Sequence, residues 1–382
     1  MTTRRCATLS GLLFAALSLA GCHARVPTPS APSAQAPVGH VFILVLENED
    51  YRNSFGNNSP APYLAQTLPA QGALLKNYYG TGHHSLDNYI SMISGQAPNL
   101  DTQADCRTYS DFVVSGPNAP LDQVLGHGCV YPAKVPTLAS QLEQAGLSWK
   151  AYMEDMGKDP AREPATCGHP PVGAPDLTQK AAKNDQYATR HNPFMYFHGV
   201  IDNAAGCAAH VVNLDALSAD LADAAHTPNF SFITPSLCHD GHDAPCVDGE
   251  PGGLVSADAF LKEWVPKILA APAFKADGLL VITFDESEGT GTDSSACCGE
   301  GAAPNTDKPG LTGPGGGLIG AVLVSPLIKP GTVSTVNYNH YSLLRSIEDL
   351  YGLPHLGEAN EPGQASFGAD VYTAATPVPL RH

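Results

Sequence analysis

The sequence predicts an α/β domain built on a mostly parallel sheet with helices on both faces. Two kinds of segment predict it. Residues 41–46 (VFILVL) and 278–284 (GLLVITF) are continuous apolar runs, as expected for strands buried on both faces. Amphipathic helical patterns alternate with such runs along the chain, the arrangement that builds parallel sheets. From about Val38 to Tyr372 no second linker and no internal repeat interrupts the pattern, and that length fits one large domain, taken as 38–382.

The elements follow in order. MTTRRCATLSGLLFAALSLAGC opens the chain with two arginines and an apolar stretch from Leu12 to Leu19. This is an export signal, too short to span a bilayer as a stable helix. It closes on Leu19-Ala20-Gly21-Cys22, which looks like a bacterial lipobox, so cleavage after residue 21 and lipid attachment to Cys22 are expected. An ordinary signal peptide with an incidental Cys22 is the plainer alternative. Residues 22–37, rich in Pro and Ala, read as a flexible tether to the cell envelope.

The first strand, 41–46, ends in Glu47-Asn48. Residues 80–95, GTGHHSLDNYISMISG, then place Leu86, Tyr89, Ile90 and Ile93 at i, i+3, i+4 and i+7, one buried helix face. Ser85 therefore stands at the N-cap or in the first turn. Two readings of its hydroxyl are open. It caps a free backbone N–H, as serines commonly do there, or it attacks an anion held by the N–H groups and positive dipole end of that helix. Residues 98–135 and 157–192 are rich in Pro, Gly and Cys and read as disulfide-pinned loops. Helical patterns cover 135–146, 214–225 and 340–352, and further strands are expected at 230–234 and 318–324.

Charge and cysteine content narrow the function. The formal net charge is −17, and loss of Arg4 and Arg5 with the signal leaves −19. So acidic a chain lacks the basic face of a nucleic-acid binder. Acidic side chains could instead surround bound cations. Eight cysteines remain after the signal: Cys106, Cys129, Cys167, Cys207, Cys238, Cys246, Cys297 and Cys298. In an exported chain an even number reads as disulfides whose pairing spacing alone does not fix. No CxxC pair occurs to suggest a thiolate metal site. For the neighbours Cys297 and Cys298, distant partners are the expected arrangement.

Ligands of open parallel sheets bind beyond the carboxyl ends of the strands. Four polar clusters stand at such positions: Glu47-Asn48, Asp285-Glu286, CHDGHD at 238–243, and His340 at the head of the last helix. Carboxylate oxygens and imidazole nitrogens suit hard and borderline divalent cations. Each cluster has a plainer explanation. Glu47-Asn48 could cap a turn, His340 could start a helix, and Asp285-Glu286 could join Glu288 and Asp293 in a structural calcium loop. Convergence of all four at one sheet edge favours a site.

Taken together, HVFILVLEN, GHHSLDNYISMISG, SFITPSLCHDGHD, LLVITFDESEG and NHYSLLRSIEDLYGLP resemble the phosphoesterase family of bacterial and fungal secreted acid phosphatases and phospholipases C, a branch of the alkaline phosphatase superfamily. The motifs stand in the family's order over nearly the whole mature chain. The resemblance implies an alkaline-phosphatase-like three-layer sandwich and a metal-bound hydroxyl nucleophile that is transiently phosphorylated. It implies Ser85 as the nucleophile, His83 as the histidine two before it, and Asn88 as an amide touching a phosphate oxygen. Glu47, Asn48, Asp285 and Glu286 match positions that hold a divalent metal cation. Asp240, His242 and His340 match those holding a second ion in two-metal relatives. His84 and Asp87 replace two prolines of the family pattern. A carboxylate at Asp87 would repel phosphate, so it must face away or bind something.

The function expected is a metal-dependent phosphomonoesterase of the cell envelope, in which His83 or His84 could protonate the leaving alkoxide. Its partner is a small phosphate ester, not nucleic acid, and it meets a membrane only through the anchor at Cys22. A phospholipase C cleaving a phosphodiester is the nearest alternative, and a non-catalytic cation-binding lipoprotein is the rival from another class.

Overall fold

The chain crosses the molecule eight times in one sheet, and the order of those crossings fixes where the polar strand ends meet. The computed structural model describes residues 35–288, 293–300 and 303–380, so the signal peptide, Cys22 and most of the tether lie outside the described residues. The strands are β1 (His40–Leu46), β2 (Ala73–Leu75), β3 (Trp149–Met153), β4 (Val211–Asn213), β5 (Phe230–Thr234), β6 (Gly278–Phe284), β7 (Ala321–Val324) and β8 (Thr332–Ser334). Their order in space is β8-β2-β7-β6-β1-β5-β3-β4. The main helices are α1 (Ser85–Ser94), α2 (Leu138–Gln144), α3 (Gly253–Ala270) and α4 (His340–Tyr351).

β1 lies at the centre, parallel to β6 on one side and to β5 on the other. All of β6, and β1 from Val41 on, are buried, so both faces of the sheet are covered there. Register pairs Leu46 with Phe284, so the residues that follow, Glu47 and Asp285, emerge side by side. The short strand Gln35–Pro37 pairs with Thr376–Val378 outside the main sheet.

Four departures from the sequence reading have local causes. The strand expected at 318–324 is β7, shorter and antiparallel to both β6 and β2. The chain leaves β6 at its carboxyl end and returns at that same end with no helical crossover among the described residues, which reverses its direction. α3, the longest helix among the described residues, lies outside the helical patterns read from the sequence; it carries Pro266, which removes one backbone N–H from its interior. The helix expected over 214–225 is only a 3₁₀ turn followed by one α-turn, Leu217–Asp220. Thr227 Oγ1 there donates to the carbonyls of Asp220 and Asp223, and Asp223 turns its carboxylate onto the N–H groups of Ala225 and His226.

The remaining departure is covalent. Cys106–Cys129, Cys167–Cys207 and Cys238–Cys246 pin the loops, and Cys297 bonds its neighbour Cys298 rather than a distant partner. The other six cysteines among the described residues are paired among themselves.

Candidate active site

The end of β1 and the start of α1 meet at one hydrogen bond. Ser85 is the first residue of α1, and His84 is its N-cap without a side-chain cap. The Ser85 hydroxyl does not cap the helix; it donates to Glu47 Oε2 at 2.7 Å. One turn on, the Tyr89 hydroxyl donates to Glu47 Oε1 at 2.6 Å, so both carboxylate oxygens are held from the same helix face. Tyr89 stacks on His191 at 5.4 Å between ring centroids. His191 stands between Glu47 Oε2 at 3.3 Å and Asp240 Oδ2 at 3.6 Å.

The end of β6 supplies the facing wall. Asp285 Oδ1 accepts the backbone N–H of Asn48 at 3.0 Å and that of Glu286 at 2.6 Å. Asn48 makes this close approach from the left-handed region, φ 53°, which asparagine tolerates. Glu286 Oε2 faces His83 Nδ1 at 2.7 Å, and the other nitrogen of His83 lies 2.9 Å from the carbonyl of Asp293. Glu47, His83, Asp240, Asp285 and Glu286 are all buried.

So many acids in so little water oppose their own ionisation. Burial, then the charges of Asp285 and Asp240, lift the Glu47 pKa well above the usual range. Burial, then Asp285 and Asp105, do the same to Glu286, and burial also lifts Asp285. Meanwhile Asn48 Oδ1, Asp240 Oδ2 and Asp285 Oδ2 are buried with no hydrogen-bond donor. Orphaned oxygens among mutually repelling carboxylates fit a divalent cation in both charge and donor chemistry. The tighter donor groups elsewhere, Cys238-His239-Glu250 and Cys238-Cys246-Asp248, depend on cysteines spent in a disulfide.

Other residues singled out from the sequence stand differently. His340 is buried, with Nε2 2.5 Å from the carbonyl of Asp285 and Nδ1 3.2 Å from the Tyr78 hydroxyl. Both nitrogens are engaged, so it steadies the Asp285 backbone instead of presenting a ligand. His242 is 45 % exposed and turns to Asp243 at 2.8 Å. Of the trio expected for a second ion, only Asp240 joins the buried cluster. Asn88 is committed to its own loop: Oδ1 accepts from the N–H groups of Thr81 and Gly82, while Nδ2 donates to the carbonyls of Gly82 and His84. Neither amide hydrogen is left for a phosphate oxygen. Asp87 is buried under Gly82, where an added Cβ would lie 2.4 Å from Asp87 Oδ1. Burial, then Glu286, raises its pKa, which favours the uncharged acid and removes the expected repulsion.

Comparison with known proteins places the whole chain. A model described as the phosphoesterase family matches residues 57–354. The chain belongs to the phosphoesterase family. A probable acid phosphatase of Kluyveromyces lactis is 26% identical over 319 residues, 83% of this chain and 59% of that protein. The chain thus spans about three fifths of the length of the fungal relatives it matches. A phosphatidylinositol-3-phosphatase of Mycobacterium tuberculosis is 25% identical over 93% of this chain and 91% of its own length. Among solved structures, an alkaline phosphatase superfamily protein from Vibrio parahaemolyticus aligns with 89% of this chain and 73% of its own, at 13% identity and a TM-score of 0.49.

In this phosphoesterase the residues that sequence reasoning missed lie in the loop before β4. Arg190 is 10 % exposed and donates to the carbonyl of Gln179, with Nε 4.0 Å from Asp105. His191 follows it. The run Arg190-His191-Asn192-Pro193 was the available signal, a basic pair inside a Pro-rich loop. Tyr89 was read only as part of an apolar face. On the solvent side stand His84, about a third exposed, and Asp105, 3.6 Å from it.

Proposed function

We propose that this phosphoesterase is a divalent-metal-dependent phosphomonoesterase in which Ser85 is the nucleophile. The observation that carries the reading is the Ser85 hydroxyl, drawn out of any capping role and held by Glu47 among buried acids with orphaned oxygens. Glu47, Asn48, Asp285 and Glu286 would hold the cation. When bound, it lowers the pKa of a nearby hydroxyl and neutralises charge building on phosphoryl oxygens.

The chain's own groups do the rest. Glu47 fixes the direction of Ser85 Oγ. The α1 N-terminus and Arg190 offer donors to the phosphoryl oxygens in place of the occupied amide of Asn88. Oγ attacks phosphorus, the bond to the ester oxygen breaks, and the alcohol leaves carrying a proton. Water then attacks the phosphoserine, releasing inorganic phosphate and restoring the hydroxyl. His83 is buried and held between Glu286 and Asp293, so the partly exposed His84 is the better placed of the two to meet a leaving group.

The names of the fungal acid phosphatases support a monoesterase. The Mycobacterium tuberculosis relative, matched over nearly its whole length, favours a phosphomonoester on a lipid headgroup as the second reading. Export and anchoring through Cys22 belong to the same proposal. Cys22→Ser should leave the protein unprocessed or soluble, and unchanged membrane partitioning would remove the anchor.

The central test is chemical. Acid-quenching turnover of a labelled phosphate ester should trap phosphate on Ser85, located by mass spectrometry. Absence of label, together with full turnover by Ser85→Ala, would overturn the mechanism. Melting that depends on a cation, with no ester hydrolysed, would favour a structural cation-binding protein.

A further inference from the structure

We infer that Asp105 selects the alcohol of the substrate, favouring phosphate monoesters of polyhydric alcohols; this rests on Ser85 being the nucleophile. Asp105 is held rigidly. It follows the 3₁₀ turn Thr102–Ala104, and both it and Cys106 lie in the left-handed region, at φ 54° and 48°. The Cys106–Cys129 disulfide fixes the next residue, and the Asp105 carbonyl accepts from Gln179 Nε2 at 2.8 Å.

Its carboxylate reaches the start of α1. Oδ1 accepts the backbone N–H of Leu86, the residue after Ser85, at 3.2 Å. Oδ2 points elsewhere, 3.6 Å from His84 Nδ1 and 4.0 Å from Arg190 Nε, both beyond a good hydrogen bond. The acids on the inner side of Ser85 are shut from water, with Glu47 at 1 %, Asp240 and Asp285 at 0 % and Glu286 at 6 % exposure; Asp105 keeps 17 %. Of these acids Asp105 alone keeps appreciable exposure, and it bonds the residue that follows Ser85.

An acceptor-only oxygen at that place has a definite chemical preference. A bare alkyl or aryl leaving group offers it nothing, and the phosphoryl dianion repels it. A hydroxyl next to the ester oxygen donates to Oδ2 while Arg190 and the helix N-terminus take the phosphoryl group. Glycerol, sugar and inositol phosphates carry such a hydroxyl; alkyl phosphates do not.

The test compares near-isosteric esters. Wild-type enzyme, loaded with divalent cation, should show kcat/KM for glycerol 3-phosphate about tenfold above that for propyl phosphate, the size of one charge-assisted hydrogen bond at a partly exposed site. Asp105→Asn keeps an oxygen for the Leu86 N–H and turns an N–H donor toward the hydroxyl. That ratio should then fall severalfold, because a neutral amide–hydroxyl bond replaces the charge-assisted one; a loss shared equally by all esters cancels from the ratio. A wild-type ratio near one overturns the inference, as does an equal loss on all esters in the variant. If Asp105→Asn does not fold, inhibition of wild-type p-nitrophenyl phosphate turnover by free glycerol but not by 1-propanol decides the same point. Failure of the wild type on every ester would instead overturn the phosphomonoesterase reading itself.

Discussion

Ser85 Oγ donates to Glu47 Oε2 at 2.7 Å, joining the first residue of a helix to the first residue after a central strand. A capping serine accepts from a backbone N–H, whereas this one gives its proton to a buried carboxylate. The hydroxyl is thereby aimed at the sheet edge, where the acids gather, and away from its own helix.

Ser85→Ala should therefore reduce p-nitrophenyl phosphate turnover by about a thousandfold or more, since a covalent route is lost. The lost bond should cost roughly 1 kcal/mol of stability. A double-mutant cycle with Glu47→Gln should show coupling of about that size. Retained turnover, or a strictly additive cycle, would detach the two residues.

Purified, metal-loaded protein should carry about one divalent ion per chain, because His340 spends both ring nitrogens on Asp285 and Tyr78 and His242 turns to Asp243. His340→Ala should leave that content unchanged while loosening the Asp285 backbone, and Asp285→Ala should empty the site. Elemental analysis of the three proteins checks this. A ratio near two in the wild type would return His242 and His340 to the centre.

Chelated protein should lose stability as pH rises. Folded Glu47, Asp285 and Glu286 hold protons above their usual range, first because of burial. In the unfolded chain they ionise near pH 4. Above that pH the unfolded state has released protons that the folded state keeps, so the equilibrium moves toward unfolding. Melting after chelation should be lower at pH 8 than at pH 5, and added divalent cation should restore more at pH 8. An equal response at both pH values would mean that these acids do not share a cation.

Much of this centre was legible from residues 47–48, 85 and 285–286. A fully apolar strand that ends abruptly in a carboxylate announces both the strand and its functional end, and parallel register brings two such ends together. What could not be read depended on side chains meeting across loops. Asn88 has the composition of a phosphate ligand, yet Gly82 and His84 claim its amide, a fact set by the fold of residues 81–84. Arg190 and His191 reach the site from the 3₁₀ turn Thr189–His191, a single turn too short to show a period in the sequence. β2 and β8, three residues each, are too short to show alternation, and the direction of β7 follows from where its connection returns.

Glu348, away from the centre, gives a prediction free of any metal. It lies on the buried side of α4, with Oε1 accepting the Leu356 N–H at 3.0 Å and Oε2 buried without a donor. Burial lifts its pKa to about 9, with Asp349 adding to the effect. A carboxyl whose folded pKa is raised contributes its full stability below the unfolded value near 4.5 and loses it as pH climbs toward 9. The wild type should therefore lose stability across that window. Glu348→Gln keeps an oxygen for Leu356 and carries no charge to bury, so the variant should be more stable than wild type by about 1 kcal/mol or more at pH 8. Near pH 4, where both side chains are neutral, the two should be nearly equal. Urea unfolding of both proteins at the two pH values measures the difference, and a gap that does not widen between pH 4 and pH 8 would show that Glu348 is ionised in the folded protein.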